Sequence, residues 1–149
     1  MRYLYRGFGV SHFRNVKESL TPKALGKFEH IFHHDDLIAY DGSATYGDSA
    51  HNAVLRHQIG QAGLPTAGIS TSPHRERAIF YALWDGRYQE GIVITIDRNS
   101  LAKNGVLEYI VSATVTNPSI PIDDEVILVS ASGGPLPLAI VVAEEKVYV

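Results

Sequence analysis

Short apolar runs broken by glycine, proline and acidic turns set the pattern of this chain, and in its second half the runs are of strand length. Residues 3–6 are aromatic and apolar and lead into Gly7 and Gly9, which predicts a strand entering a backbone-permissive loop. Thr21-Pro22 combines an N-cap with a proline at the first helical position, predicting a short helix through Ala24, Leu25 and Phe28. Residues 29–47 are polar and turn-rich and read mostly as loop. Asp48 or Ser49 caps a second helix, with Ala53, Val54 and Ile59 as its stripe and Gly63 as its stop. A strand over residues 66–72 follows. Ser72-Pro73 then opens a helix carrying Ala78, Ile79, Ala82 and Leu83 to a stop near Gly86. Residues 91–96, 111–116, 125–129 and 139–149 are β-branched and apolar and predict strands. Helices early and strands late give one α+β domain over residues 1–149, with antiparallel or mixed sheets.

The 149 residues are 45% hydrophobic and 19% charged, the composition of a folded globular chain and not of a disordered or fibrous one. Thirteen Lys plus Arg against sixteen Asp plus Glu give a net charge of −3, so no global positive field draws in nucleic acid or an anionic membrane. With no cysteine there is no disulfide, no thiolate nucleophile and no Cys-based metal site. No apolar run approaches the roughly 18 residues of a spanning helix, and the first residues lack the apolar core of a signal peptide. The expectation is a soluble protein.

Three places put polar side chains where an apolar strand has no need of them: Arg6, the run Ser70-Thr71-Ser72, and Asp123-Asp124-Glu125 ahead of Val126-Ile127-Leu128. Strand alternation places Ser70 and Ser72 on one face and Glu125 on the face of Ile127 and Val129, and with the strand extended back through Asp124 it puts Asp123 on the face of Glu125. A glutamate there requires hydroxyl or cationic partners. Ser70 can supply the first, and Arg6 a fixed charge for an anionic ligand such as a diphosphate. The bland alternatives are a surface Arg6, an N-cap at Ser72 and a solvated strand end at Glu125.

Tyr5-Arg6-Gly7, Gly68-Ile69-Ser70-Thr71-Ser72 and Asp123-x-Glu125-Val126-Ile127-Leu128, in that order, resemble the Arg, Ser-Thr-Ser and Glu-x-Glu motifs of the mono-ADP-ribosyltransferases, the clade of bacterial toxins, effectors and vertebrate ecto-enzymes. The resemblance implies two packed sheets with flanking helices around a cleft for NAD, which is cleaved with release of nicotinamide as its ADP-ribose passes to a macromolecular acceptor. It makes Glu125, Ser70 and Asp123 the catalytic set and Arg6, Gly7, Ser70, Thr71 and Ser72 the NAD-binding set. Glu125 would hold the ribose 2′-hydroxyl, Ser70 would hold Glu125, Thr71 would support the strand, and Asp123 would serve the acceptor. The acceptor implied is a protein in preference to a nucleic acid, with no membrane partner, and the protein is expected to be secreted or delivered into a target cell's cytoplasm. The family residue two before the glutamate is Glu or Gln, whereas Asp123 is one methylene shorter, so the acceptor type stays open. A NAD glycohydrolase using the same site and a non-catalytic NAD- or metal-binding module are the alternatives.

Other clusters carry less. His30, His33 and His34 with Asp35 and Asp36 could ligate zinc but lack a framed H-E-x-x-H pattern, and the expectation is that no metal is needed. Gly133-Gly134-Pro135 lacks the Lys-Ser/Thr of a phosphate loop and reads as a turn between strands. His51, Arg56 and His57 read as helix surface.

Overall fold

In the computed structural model, which describes residues 1–23, 68–114, 117–118 and 120–149, two three-stranded antiparallel sheets pack face to face. The first is ordered β1 (Tyr3–Gly9), β3 (Glu90–Asp97) and β6 (Val141–Tyr148). The second is ordered β2 (Ile69–Thr71), β5 (Val126–Ser130) and β4 (Val106–Ile110). Helix α1 (Val16–Ser19) follows β1, α2 (Arg75–Leu83) follows β2, and the helical turn α3 (Val111–Thr114) follows β4. The expected α+β class with antiparallel sheets is what the described residues show.

Alternation along β1 and β3 sorts the core. Leu4 and Phe8 of β1 join Ile94 and Ile96 of β3, Ile69 of β2 and Val126 and Leu128 of β5 in one apolar cluster between the sheets. The opposite face of the first sheet carries Tyr5 and Val93, and there Ala78 and Ala82 of α2 pack. That helix lies close because Gly7 and Gly91 have no side chain: a Cβ at Gly7 would stand 1.7 Å from the Ala78 carbonyl oxygen, and one at Gly91 2.3 Å from that of Ala82. Beyond these contacts, Tyr5 and Ser72 exchange both backbone hydrogen bonds, at 2.7 and 2.9 Å, in an isolated bridge joining the two sheets.

Three sequence-based expectations shift. Because Ser72 stays extended in that bridge, the helix begins at Arg75 with His74 as N-cap, not at Ser72-Pro73. Residues 111–114, expected as strand, form α3, since the ladder ends where the Val111 N–H reaches the Glu125 carbonyl at 3.0 Å. Asp123 is not on a strand: it ends a 3₁₀ turn (Pro121–Asp123), and Asp124 at φ 46° turns the chain before β5 begins at Val126. Residues 3–6 and 91–96 lie within β1 and β3 as expected, and of residues 139–149 the strand β6 covers Val141–Tyr148, while Ala139 and Ile140 end a 3₁₀ turn. The turn at Gly133-Gly134-Pro135 separates β5 from β6. Pro22 and Lys23, expected to open a helix behind a Thr21 cap, are not helical, and the rest of that helix from Ala24 lies outside the described residues, as do the loop over 29–47, the helix expected over 48–63, the His30 to Asp36 cluster, His51, Arg56 and His57.

Candidate active site

On β1, the face that carries Leu4 and Phe8 into the core also carries Arg6, so a guanidinium sits in line with buried apolar side chains. It needs acceptors there. Its Nε donates to the Ser19 carbonyl at 3.1 Å and its Nη1 to the Ser70 carbonyl at 3.0 Å, and its guanidinium lies 5.9 Å from the Phe13 ring centre. Burial lowers its pKa to about 10, against the opposing pull of the Glu125 charge. At neutral pH Arg6 is therefore charged. Two of a guanidinium's five N–H donors are used in these bonds, and the others have no hydrogen-bond partner among the described residues.

The Ser-Thr-Ser run stitches β2 to the segment that carries the glutamate. Ser70 Oγ donates to Glu125 Oε2 at 2.5 Å, Thr71 Oγ1 to the Val126 carbonyl at 2.7 Å, and Ser72 Oγ to the Asp123 carbonyl at 2.5 Å. The strand register explains the first bond. Ser70 pairs with Ile127, and Glu125 lies two residues before Ile127 on the same face, which makes the two side chains diagonal neighbours. Glu125 is only 8% exposed, so its negative charge is held by charge-assisted hydrogen bonding and by the field of Arg6. Thr71 and Ser72 line the pocket and direct their hydroxyls to backbone carbonyls, which fastens β2 to the segment carrying Glu125. Ser72 Oγ also accepts the His74 N–H at 3.0 Å, a capping role displaced from the expected position.

Asp123 has a setting that its sequence context did not suggest. It is 8% exposed; Arg77 Nε donates to its Oδ1 at 2.7 Å and the Tyr81 hydroxyl to its Oδ2. The bond to Asp123 raises the Arg77 pKa above its usual value, and burial, aided by the same carboxylate, raises that of Tyr81 to about 12. On the next residue, Asp124 Oδ2 lies 2.5 Å from His74 Nε2. The turn before Glu125 is thus clamped to the start and the middle of α2.

These groups surround one pocket of about 330 Å³, into which Arg6, Ser70, Glu125, Tyr81 and Trp84 contribute. Gly7 lines it as well, although its lack of a side chain is already required by the Ala78 backbone. All the site residues expected from sequence therefore border a single cavity. Comparison with family models gives a match to NarE over residues 3–128, a span that runs from β1 into β5 and includes every one of them. The chain belongs to the NarE family. A search of the curated proteins found no match. Within the NarE span, sequence reasoning missed Arg77, which donates to Asp123, and the pocket-lining Tyr81 and Trp84, together with Phe13 and Lys23. The first three recur at i, i+4 and i+7, a helical stripe readable beside the apolar one of Ala78 and Ala82. No group of His, Cys, Asp or Glu among the described residues is arranged to hold a metal ion, and no described helix is long and apolar enough to cross a membrane.

Proposed function

We propose that the protein is an NAD-dependent mono-ADP-ribosyltransferase, in which Glu125 acts on the nicotinamide ribose and Arg6 on the diphosphate. The observation that carries this reading is the Ser70 Oγ to Glu125 Oε2 hydrogen bond of 2.5 Å in a pocket that also holds the Arg6 guanidinium. A preplaced carboxylate and a preplaced cation suit a substrate whose diphosphate is anionic throughout and whose ribose becomes cationic only as the leaving group departs.

In this reaction the bond between the ribose C1′ and the nicotinamide nitrogen breaks, and its electron pair leaves with the ring, which becomes neutral. Glu125 accepts the 2′-hydroxyl and stabilises the positive charge that appears on the ribose. The acceptor then donates a lone pair to C1′ and loses its proton to solvent. Ser70 fixes the carboxylate so that it does not reorganise during the step, while Arg6 and Lys23 supply positive charge to the phosphates. The expected acceptor is a protein, and the expected setting is a toxin or effector that is secreted or delivered into a target cell.

Glu125→Gln should reduce nicotinamide release by about 100-fold or more, with the affinity for NAD measured by calorimetry nearly unchanged. Near-native turnover in that variant would remove Glu125 from the chemistry. A second reading, hydrolysis of NAD with water as acceptor, is favoured by one observation: Arg77 and Tyr81 each donate to an oxygen of Asp123, which weakens that carboxylate as an acceptor-side base. Parallel assays of released nicotinamide and of labelled ADP-ribose on lysate proteins separate the two.

A further inference from the structure

Trp84 is placed where neither backbone nor packing calls for a tryptophan. It is the C-cap of α2 in the left-handed conformation, at φ 48° and ψ 54°, and begins a run of three positive φ values with Asp85 and Gly86. Glycine is the usual residue at such a helix end, and a bulky side chain there is strained. The side chain is 47% exposed, and its ring makes no stacking contact or hydrogen bond among the described residues. It does line the pocket that holds Arg6 and Glu125. Its neighbour one turn back, Tyr81, is fixed by its hydroxyl to Asp123, two residues before Glu125, so this wall of α2 is held in register with the reactive carboxylate.

A strained residue at a pocket rim, with a large apolar surface left in water, is accounted for by a ligand that covers it. We propose that Trp84 is a stacking platform for a planar heteroaromatic ring of the molecule bound in this pocket. The ring's identity, adenine or nicotinamide, rests on the NAD reading above; the platform itself rests on Trp84 alone. Tryptophan offers such a ring a wide, rigid face and requires few rotamers to be frozen.

Trp84 is the single tryptophan of the chain, so its fluorescence reports this position and no other. The full chain is titrated separately with AMP and with nicotinamide mononucleotide, exciting at the red edge where tyrosine does not absorb. Saturable quenching by AMP assigns adenine to the platform, quenching by the mononucleotide assigns nicotinamide, and a response to neither overturns the proposal. Calorimetry on variants gives a second readout. Trp84→Gly should bind the quenching nucleotide about tenfold more weakly, in keeping with the usual strength of base stacking on an aromatic side chain, and should melt no lower than the wild type because glycine suits the left-handed cap. Trp84→Phe should recover most of the affinity. Unchanged affinity in Trp84→Gly, or equal loss in Trp84→Phe, overturns the platform. Quenching without any nicotinamide released from NAD would sink the transferase reading and leave the platform standing, whereas nicotinamide release with an unresponsive Trp84 does the reverse.

Discussion

Both oxygens of Asp123 are engaged, one by Arg77 and one by Tyr81, and this changes what its removal should do. An acid serving only the acceptor would, when lost, spare NAD cleavage and abolish transfer. An acid that ties α2 to the turn before Glu125 supports both steps. Asp123→Ala should therefore lower nicotinamide release and acceptor labelling by the same factor and destabilise the fold by about 2 kcal/mol, since it leaves Arg77 and Tyr81 without their shared carboxylate; paired assays and a urea melt check both parts. Tyr81 gives a pH dependence with a definite sign. Its folded pKa is raised to about 12 from 10.0, so the folded state keeps a proton that the unfolded chain releases, and the stability it contributes is complete below pH 10 and lost as pH rises toward 12. Arg6 works in the opposite direction above pH 10, because its folded pKa is lowered. Comparing Tyr81→Phe with the wild type cancels that effect, and the variant should lose less stability than the wild type between pH 10 and pH 12, as read by chemical denaturation across that range.

At the scale of elements, the site depends on how closely α2 can approach the first sheet. Gly7→Ala would drive a methyl group into the Ala78 carbonyl, and since the clash is with backbone the helix must move. The expected cost is about 1–3 kcal/mol, with a matching fall in nicotinamide release as Tyr81 and Asp123 lose register. Gly134→Ala is the control, because a Cβ there meets nothing nearer than Ser132 Oγ at 3.9 Å, and it should leave the urea midpoint almost unchanged. Strands β1, β3 and β5 were legible in the sequence because their apolar or β-branched runs are bounded by turn residues, and the pairing of Ser70 with Glu125 was legible because strand alternation fixes faces. The segment at Val111 was not, since its β-branched pattern is equally compatible with a strand and only the end of pairing at Glu125 decides it. Asp123 was misplaced for a related reason. Sharing a face with Glu125 assumed an extended Asp124, whereas Pro121 starts a 3₁₀ turn and Asp124 takes the left-handed conformation that aspartate tolerates.

Across the whole molecule, Arg6, Ser-Thr-Ser and Glu125 could be read as a set because their order and residue types resemble a known family, while Arg77, Tyr81 and Trp84 could be read only as a helical stripe, because the packing of α2 decides that Tyr81 and Trp84 face the pocket and Arg77 the Asp123 carboxylate. The two sheets face each other across one apolar core, and the bridge between Tyr5 and Ser72 ties their edges at the pocket. The bonds that bring β1, β2 and the glutamate together span long stretches of chain: Ser70 to Glu125 spans 55 residues, and Arg6 to the Ser70 carbonyl spans 64. Closing loops of that length costs entropy before any contact repays it, so such pairings form late in folding. A chain still emerging from the ribosome holds Arg6 and the three hydroxyls with nothing to orient, and the site is assembled only once β5 is synthesised and docked beside β2. On the transferase reading proposed above, competence is thus tied to near-completion of the fold, and a nascent or truncated chain ending before Glu125 would carry the proposed diphosphate-binding arginine without the proposed reactive carboxylate.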